Sequence, residues 1–353
     1  MSSPSAGRMP ALGSGAERSF CARAAATMGV VVVLHATAVG LLGLGAVAST
    51  VPLAAGLVAT AYLTGVRHSY DWDHIATIDN STRRFVAQGR EPASVGLAFS
   101  LGHSSVVIAA GALAVAGATF LSALVQEGTR ANTLLGLVGG TVSGLFLLVM
   151  GCYNAAASRR SWSLRRRARR GEGASAGDLE SQGLISRLLA RPLSRVSRPR
   201  DMYAVGFLFG LGFDTASTVS LLIVTASAAV AGVSAWTLLS LPFFFAAGMC
   251  LCDSLNGFAV LRMYRSAWQE PVRKLGFNAV ITGISAFSAL FISAITIGGV
   301  LHHGLGLRDP LTTRLAAIDL GQAGLLLIAT MFGVWGLAAV VWKSGHRLSG
   351  RRS

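Results

Sequence analysis

Two histidines and two carboxylates lie within seven residues of one another in the segment 67–75, which reads RHSYDWDHI. The four side chains are those of His68, Asp71, Asp73 and His74. Neutral imidazole and carboxylate groups suit borderline divalent ions such as Ni²⁺, Co²⁺ or Zn²⁺. The same groups can also form a proton relay in a membrane. So many polar groups exceed what packing needs, so the segment indicates chemistry rather than structure alone.

The spacing of the two histidines constrains how they could bind one ion. On a regular helix His68, Asp71 and His74 are successive i+3 neighbours. His68 and His74 would then lie about 120° apart around the axis and about 9 Å apart along it. One ion could bind both only if the helix bends or unwinds, as helices do at transporter binding sites. The alternatives are an interrupted helix and a continuous helix with only one histidine bound.

Three other apolar segments each contain one ionisable side chain beside small polar residues. They are LGHSS at 101–105 with His103 and Ser104, LGFDTAS at 211–217 with Asp214 and Thr215, and GMCLCDSLNG at 248–257 with Asp253 and Asn256. A single buried histidine or aspartate can serve only to hydrogen-bond a neighbouring helix. Together with residues 67–75, however, these groups predict a polar interior.

The composition predicts a membrane protein. Of the 353 residues 52% are hydrophobic and only 13% are charged, whereas soluble domains carry about 25% charge. The mean hydropathy is +0.59. These values exclude a soluble enzyme and a disordered chain. The four cysteines form neither a metal-finger pattern nor a disulfide framework.

The apolar runs predict an all-α protein with about eight transmembrane helices, because a spanning helix needs about 20 mostly apolar residues. The candidate spans are 25–48, 51–79, 94–117, 132–153, 202–231, 236–261, 277–301 and 317–342. The net charge of +15 lies mainly between these runs, which favours a cytoplasmic membrane face over nucleic acid. Only Arg130, Arg308 and Arg314 fall in outside loops if the N-terminus is inside, so both termini are expected in the cytoplasm.

These spans divide the chain into five parts. They are a cytoplasmic N-terminal tail (1–24), transmembrane helices 1–4 (25–153), a basic cytoplasmic loop (154–201), transmembrane helices 5–8 (202–342) and a cytoplasmic C-terminal tail (343–353). The loop is rich in Arg, Ser and Gly, which is typical of a partly disordered, lipid-facing linker. A regulatory or nucleic-acid role is the alternative.

The ionisable residues of five spans are expected at one depth. His35, His68, His103, Asp214 and Asp253 lie about 14–18 Å from the cytoplasmic ends of their spans, near the middle of a hydrocarbon core about 30 Å thick. Transporter substrate sites commonly lie there. His35 belongs to the first helix of a predicted hairpin, within reach of a site shared with His68. The alternative is that His35 only hydrogen-bonds across the hairpin.

The four motifs resemble those of the nickel/cobalt transporter family. RHSYDWDHI is similar to the family signature RHAxDADHI, whose H-x4-D-H pattern is matched by His68, Asp73 and His74, and Asp71 matches the earlier acid. LGHSSVV at 101–107 resembles the GHS motif, LGFDTAS resembles LGFDTATE, and GMCLCDSLNG resembles GMxLxDTxDG. The resemblance covers residues 25–342. Trp72, Thr218 and Asn256 depart from the family pattern, and the last two replace acids, which could alter metal choice, affinity or proton coupling.

The resemblance implies a secondary transporter of the high-affinity nickel permease type, and not an enzyme. It would be a multi-pass protein of the cell (inner) membrane that imports Ni²⁺ and/or Co²⁺ through a His/Asp site at the midplane. An exporter of related architecture is the nearest alternative, and an intramembrane metal-dependent hydrolase is a more distant one. No cofactor besides the transported ion is expected. The expected partners are the divalent ion and the lipid bilayer, without nucleic acid or an obligate protein partner.

The resemblance and the depth argument together predict the functional residues. The metal ligands would be His68, Asp71, Asp73 and His74. The residues of the transport path or its selectivity would be His35, His103, Asp214, Asp253 and Asn256. The residues that support the motifs would be Arg67, Ser104 and Thr215.

Overall fold

The computed structural model describes residues 14–46, 51–116, 129–170, 196–211, 216–230, 232–265 and 271–318, with three single positions after residue 328. This part of the chain is helical and contains no strand. Its helices are α1 (Ser14–Ala46), α2 (Val51–Ser69), α3 (Trp72–Ala87), α4 (Val95–Val115), α5 (Arg130–Arg169), α6 (Met202–Gly210), α7 (Ala216–Val230), α8 (Ala235–Arg265), α9 (Pro271–Gly304) and α10 (Pro310–Ala316). A 3-10 turn, Pro199–Asp201, precedes α6.

Within the described residues, five helices are long and apolar enough to cross a membrane. Their apolar stretches are Phe20–Gly45, Val95–Val115, Gly136–Arg169, Ala235–Arg262 and Ala279–Gly304. They correspond to the first, third, fourth, sixth and seventh predicted spans. The all-α fold is therefore confirmed, whereas eight spans and cytoplasmic termini remain predictions.

The remaining predicted spans differ from single helices. The second span, 51–79, is divided into α2 and α3. The fifth, 202–231, is represented by α6 and α7, which flank residues outside the described part. The eighth, 317–342, lies almost entirely outside it. The helix of the fourth span continues to Arg169, so α5 includes the beginning of the predicted loop.

Large apolar side chains are exposed along the outer helices. Val32 and Val33 of α1 are 62% and 63% exposed, and Phe287 of α9 is 70% exposed. Helices that are apolar on every side are typical of buried or membrane-spanning segments. Because α1 and α9 leave these side chains uncovered by protein, the surface they present fits contact with lipid.

The helix α8 lies at the centre of the helices that carry the polar motifs. It packs against α1, α2, α3 and α4, while α9 packs mainly against α5. In the N-terminal half of α8, Leu241 and Phe245 belong to an apolar cluster with Val107 of α4. Near the C-terminal end of α8, Val260 packs with Ile75 of α3. The beginning of α3 therefore lies between packed helices.

Two glycines allow the helix backbones around α4 to come unusually close. A Cβ atom at Gly96 of α4 would collide with the backbone carbonyl of Asp253 in α8. A Cβ atom at Gly206 of α6 would collide with the backbone carbonyl of Phe99 in α4. Small residues permit such close approach in membrane proteins. The two glycines thus set the spacing of α4 from both neighbours.

Replacing Gly206 should test this packing. We expect Gly206→Ala to destabilise the protein by about 1–3 kcal/mol, because the added methyl group meets backbone that cannot move aside easily. The measurement is thermal unfolding of the purified protein in detergent. Gly29→Ala in α1 is the matched control, since a Cβ there meets nothing within 4 Å. Equal unfolding temperatures for the two variants would contradict the packing argument.

Candidate metal site

The helix that begins at Val51 is interrupted inside the RHSYDWDHI segment. The helix α2 ends at Ser69 and α3 begins at Trp72. The Tyr70 amide donates to the Arg67 carbonyl at 3.0 Å, and the Asp71 amide donates to the His68 carbonyl at 2.9 Å, which closes tight turns. The interrupted helix predicted from the ligand spacing is therefore present, and the continuous helix is wrong.

Two aspartates favour the start of α3 at this point. Asp71 has the extended backbone of an N-cap residue, and its carbonyl accepts from the Ile75 amide at 3.2 Å. Asp73 lies in the first turn, where its Oδ1 accepts from the His74 amide at 2.9 Å. Asp is common at N-caps, and negative charge in the first turn is stabilised by the helix dipole.

The interruption brings three histidine rings together. The ring centroids of His68 and His74 are 4.7 Å apart. The ring centroid of His103 in α4 lies 4.8 Å from that of His68 and 4.9 Å from that of His74. One ring nitrogen from each residue lies within 4.8 Å of the other two. All three side chains are buried. Side chains from α2, α3 and α4 thus meet in one compact group, called here the histidine cluster.

A carboxylate from α8 orients one ring of the histidine cluster. The Nδ1 atom of His74 lies 2.9 Å from Oδ2 of Asp253 and donates to it. The Ser100 hydroxyl donates to the same carboxylate oxygen. A carboxylate behind a histidine fixes its tautomer and makes the other nitrogen a better ligand. The Nε2 atom of His74 has no hydrogen-bond partner among the described residues, so this nitrogen is available to another group.

His68 is held in a similar way. Its Nδ1 lies 2.9 Å from Oδ2 of Asp71, within ion-pairing distance although outside hydrogen-bond geometry. Its Nε2 faces Nε2 of His103 at 3.0 Å. Two imidazole nitrogens at this distance either share one proton or direct both lone pairs at one cation.

The histidine cluster is enclosed by aromatic side chains. Phe245 of α8 lies 5.5 Å from His68, and Phe99 of α4 lies 4.8 Å from His74, measured between ring centroids. Both phenylalanines are fully buried. An apolar enclosure keeps water away from the nitrogens and strengthens electrostatic interactions inside it.

The donor set fits a borderline dication. Metal–nitrogen bonds of about 2.0–2.1 Å allow two ligands of one ion to be at most about 4.2 Å apart. The 3.0 Å pair fits as it stands, and the 4.8 Å limit of the cluster requires only small ring movements. Imidazole ligands suit Ni²⁺, Co²⁺ and Zn²⁺, whereas Mg²⁺ and Ca²⁺ prefer oxygen.

The other predicted residues lie around the cluster or outside it. Ser104 is buried, with its hydroxyl 3.9 Å from Sγ of Cys250. Asn256 is half-buried one turn after Asp253, and Arg67 is exposed near the end of α2. Asp214 and Thr215 lie outside the described residues.

His35 does not join the histidine cluster. Its Nδ1 is 2.8 Å from the Val31 carbonyl, and its Nε2 is 3.3 Å from the hydroxyl of Tyr62 in α2. Tyr62 precedes His68 by six residues, which is about 9 Å along a helix. In this structure His35 therefore hydrogen-bonds to α2 instead of joining the histidine cluster, and its role in transport or selectivity stays a prediction.

Ser100 is a member of the site that the sequence argument did not include. It precedes His103 by three residues, so both side chains lie on one face of α4. Its hydroxyl and the His74 ring both donate to Asp253. The i−3 position relative to His103 is the signal that could have identified it.

The chain is similar to known metal-transport proteins. Residues 54–341 match the NicO family, described as high-affinity nickel-transport protein. The chain is 37% identical over 295 residues to a nickel transporter, NicT, of Mycobacterium tuberculosis, covering 82% of this chain and 79% of that protein. It is 37% identical over 325 residues to the high-affinity nickel-transport protein NixA of Helicobacter pylori, covering 89% and 95%. It is 39% identical over 288 residues to the cobalt transport protein NhlF of Rhodococcus rhodochrous, covering 80% and 81%. No solved structure matches the chain significantly.

Removing either α2 or α3 histidine should remove high-affinity metal binding. We expect His68→Ala and His74→Ala each to abolish Ni²⁺ binding by the purified protein and metal accumulation by cells, while membrane insertion persists. Neither side chain contributes to the apolar surface of its helix. Titration calorimetry with Ni²⁺ and uptake at equal protein level are the measurements. His303→Ala, at an exposed histidine of α9, is the control, and near-normal binding in both cluster variants would contradict the assignment.

Weakening the carboxylate behind His74 should have a smaller effect. We expect Asp253→Asn to lower Ni²⁺ affinity about 10–100-fold, because the histidine loses a charged acceptor while the side-chain size is kept. The same calorimetric titration measures it. Asp309→Asn is the control, since Asp309 caps α10 away from the cluster. An unchanged affinity in Asp253→Asn would show that this carboxylate does not support the site.

Proposed function

Because the chain belongs to the high-affinity nickel-transport family, we propose that it imports Ni²⁺ and/or Co²⁺ across the cytoplasmic membrane through the histidine cluster. Membership makes it a multi-pass membrane protein of a nickel and cobalt transport family. The import direction, the membrane and the transport site are our proposals. The finer topology, with eight spans and both termini in the cytoplasm, is proposed from the distribution of basic residues.

The observation that carries the proposal is the histidine cluster itself. Three imidazole rings from α2, α3 and α4 meet in a buried position, and carboxylates lie behind two of them. Ionisable groups inside a membrane are costly and mark ion pathways. A site built from separate helices can also open and close by helix movement, which transport requires.

The energetics support secondary transport. A membrane potential favours inward movement of a dication by about 4.6 kcal/mol per 100 mV, twice the value for one charge. The sequence contains no GxxxxGK[ST] motif for binding a nucleotide. The potential alone can therefore drive accumulation.

The related proteins support both ions. Those from Mycobacterium tuberculosis and Helicobacter pylori are named for nickel, and that from Rhodococcus rhodochrous is named for cobalt. Both ions favour imidazole ligands, with Ni²⁺ bound more tightly at a given site. We propose that both are substrates, with Thr218 and Asn256 affecting the choice between them.

Two other functions would use parts of the same site. An exporter could use the same ligands, and only the direction of transport would distinguish it. A hydrolase would need an open coordination position with an activated water. Carboxylates behind histidine rings, as Asp253 and Asp71 are here, occur in binding and catalytic metal sites alike, so it is family membership that favours transport.

Uptake of radiolabelled Ni²⁺ and Co²⁺ by cells that express the chain tests the proposal. We expect accumulation above that of cells expressing the His68→Ala/His74→Ala variant, inhibition of each ion by the other, and no inhibition by Mg²⁺. A protonophore that collapses the membrane potential should abolish accumulation. Lower accumulation than in the control cells would replace import with export, and equal accumulation would overturn transport.

A further inference from the structure

Three buried hydroxyl groups of α3 have no hydrogen-bond partner among the described residues. They belong to Thr77, Ser81 and Thr82, whose side chains are at most 2% exposed. Leaving a buried polar group without a partner destabilises a protein. Such groups are rare and call for an explanation, such as water or an ion that satisfies them.

Several buried hydroxyls elsewhere in the described part of the chain are satisfied within their own helices. Thr225 donates to the Leu221 carbonyl at 2.8 Å, and Ser285 donates to the Ile281 carbonyl at 3.1 Å. This bond to the carbonyl four residues earlier is open to any Ser or Thr in a helix. The α3 hydroxyls do not form it, so their oxygens remain available to another group.

The free hydroxyls continue from the histidine cluster along α3. Thr77 and Ser81 follow His74 by three and seven residues, which places them within about 60° of it around the helix axis and about 4.5 Å and 10.5 Å further along. Thr82 lies beside Ser81. The row therefore starts at the metal site and runs toward the C-terminal end of α3.

The charged groups of α3 lie beside this row. Asp79 and Arg83 form an ion pair, with 2.7 Å between Oδ1 and Nε, and both are buried. They lie about 140–180° from His74 around the axis. Arg84, at the end of the row, donates from Nη1 to the Val196 carbonyl at 3.0 Å. Because Asp79 neutralises Arg83, a dication near Thr77 and Ser81 would meet little repulsion from that pair.

We propose that the hydroxyls of Thr77, Ser81 and Thr82 form an oxygen-lined passage that receives the divalent ion, with its water shell, after it leaves the histidine cluster. This inference rests on the proposed function and specifies its route. Hydroxyl oxygens hydrogen-bond to coordinated water but bind a borderline ion more weakly than imidazole. The passage would thus lower the barrier to release without retaining the ion.

A double variant, Thr77→Val/Ser81→Ala, tests whether these hydroxyls act on movement of the ion or on its binding at the histidine cluster. We expect Ni²⁺ uptake to fall about tenfold, because 1.4 kcal/mol of lost hydrogen bonding to the hydrated ion corresponds to that factor. Equilibrium Ni²⁺ affinity of the purified variant should stay within about twofold of the original, since the ligands are unchanged. Thr225→Val/Ser285→Ala is the matched control, because it removes buried hydroxyls that are already satisfied.

Each other result overturns the proposal. Normal uptake in the double variant would show that the hydroxyls are not on the route. An equal loss of Ni²⁺ affinity would assign them to the histidine cluster, and an equal loss of uptake in the control would make their role structural.

A second measurement does not require transport. Ser81→Cys should react with a small charged thiol reagent in inside-out vesicles, and Ni²⁺ should slow the reaction, while Ser285→Cys should stay unreactive. Mass spectrometry identifies the modified residue despite the four native cysteines. Failure of uptake with a reactive, Ni²⁺-protected Ser81→Cys would overturn the proposed function but keep the passage. An unreactive Ser81→Cys would overturn the passage.

Discussion

The helical pattern of backbone hydrogen bonds stops at the end of α2 and begins again at the start of α3. The geometry of the site depends on this interruption. Without it, His68 and His74 would face different directions about 9 Å apart. With it, their rings are in contact and meet His103 from α4. The turn is closed by two amides that donate to carbonyls near the end of α2, so these amides keep hydrogen-bond partners at the interruption, as an apolar environment requires.

Bringing polar groups into an apolar protein requires that each has a partner. Asp253 receives hydrogen bonds from His74 and Ser100, and it can approach them because Gly96 lets α8 come close to α4. Gly96 therefore supports the site through packing alone. It contributes no functional group, but without it the Asp253 carboxylate could not reach His74 and Ser100.

Much of the fold could be predicted from the sequence, because long apolar runs are strong signals and, among the described residues, five of them are helices long and apolar enough to cross a membrane. The interruption could also be predicted, since ligand spacing on a regular helix was incompatible with one ion. The pairing of His74 with Asp253 could not, because these residues are far apart in the chain and a motif does not say which helix it faces. His35 faces Tyr62 instead of the histidine cluster, which depth could not show, because depth fixes a residue along the membrane normal but not its direction around the helix. Asp214 shares the predicted depth, and its position is not described.

Two of the three side chains of the histidine cluster lie on helices that meet end to end. His68 is the second-last residue of α2, and His74 lies in the first turn of α3. The distance between their ring nitrogens therefore depends on the angle between α2 and α3. A tilt of α2 or α3 would increase or decrease the distance between these nitrogens without breaking a hydrogen bond inside either helix. The affinity of the histidine cluster for an ion would then depend on the angle between α2 and α3. The surrounding protein could change this angle while the histidines themselves stay the same.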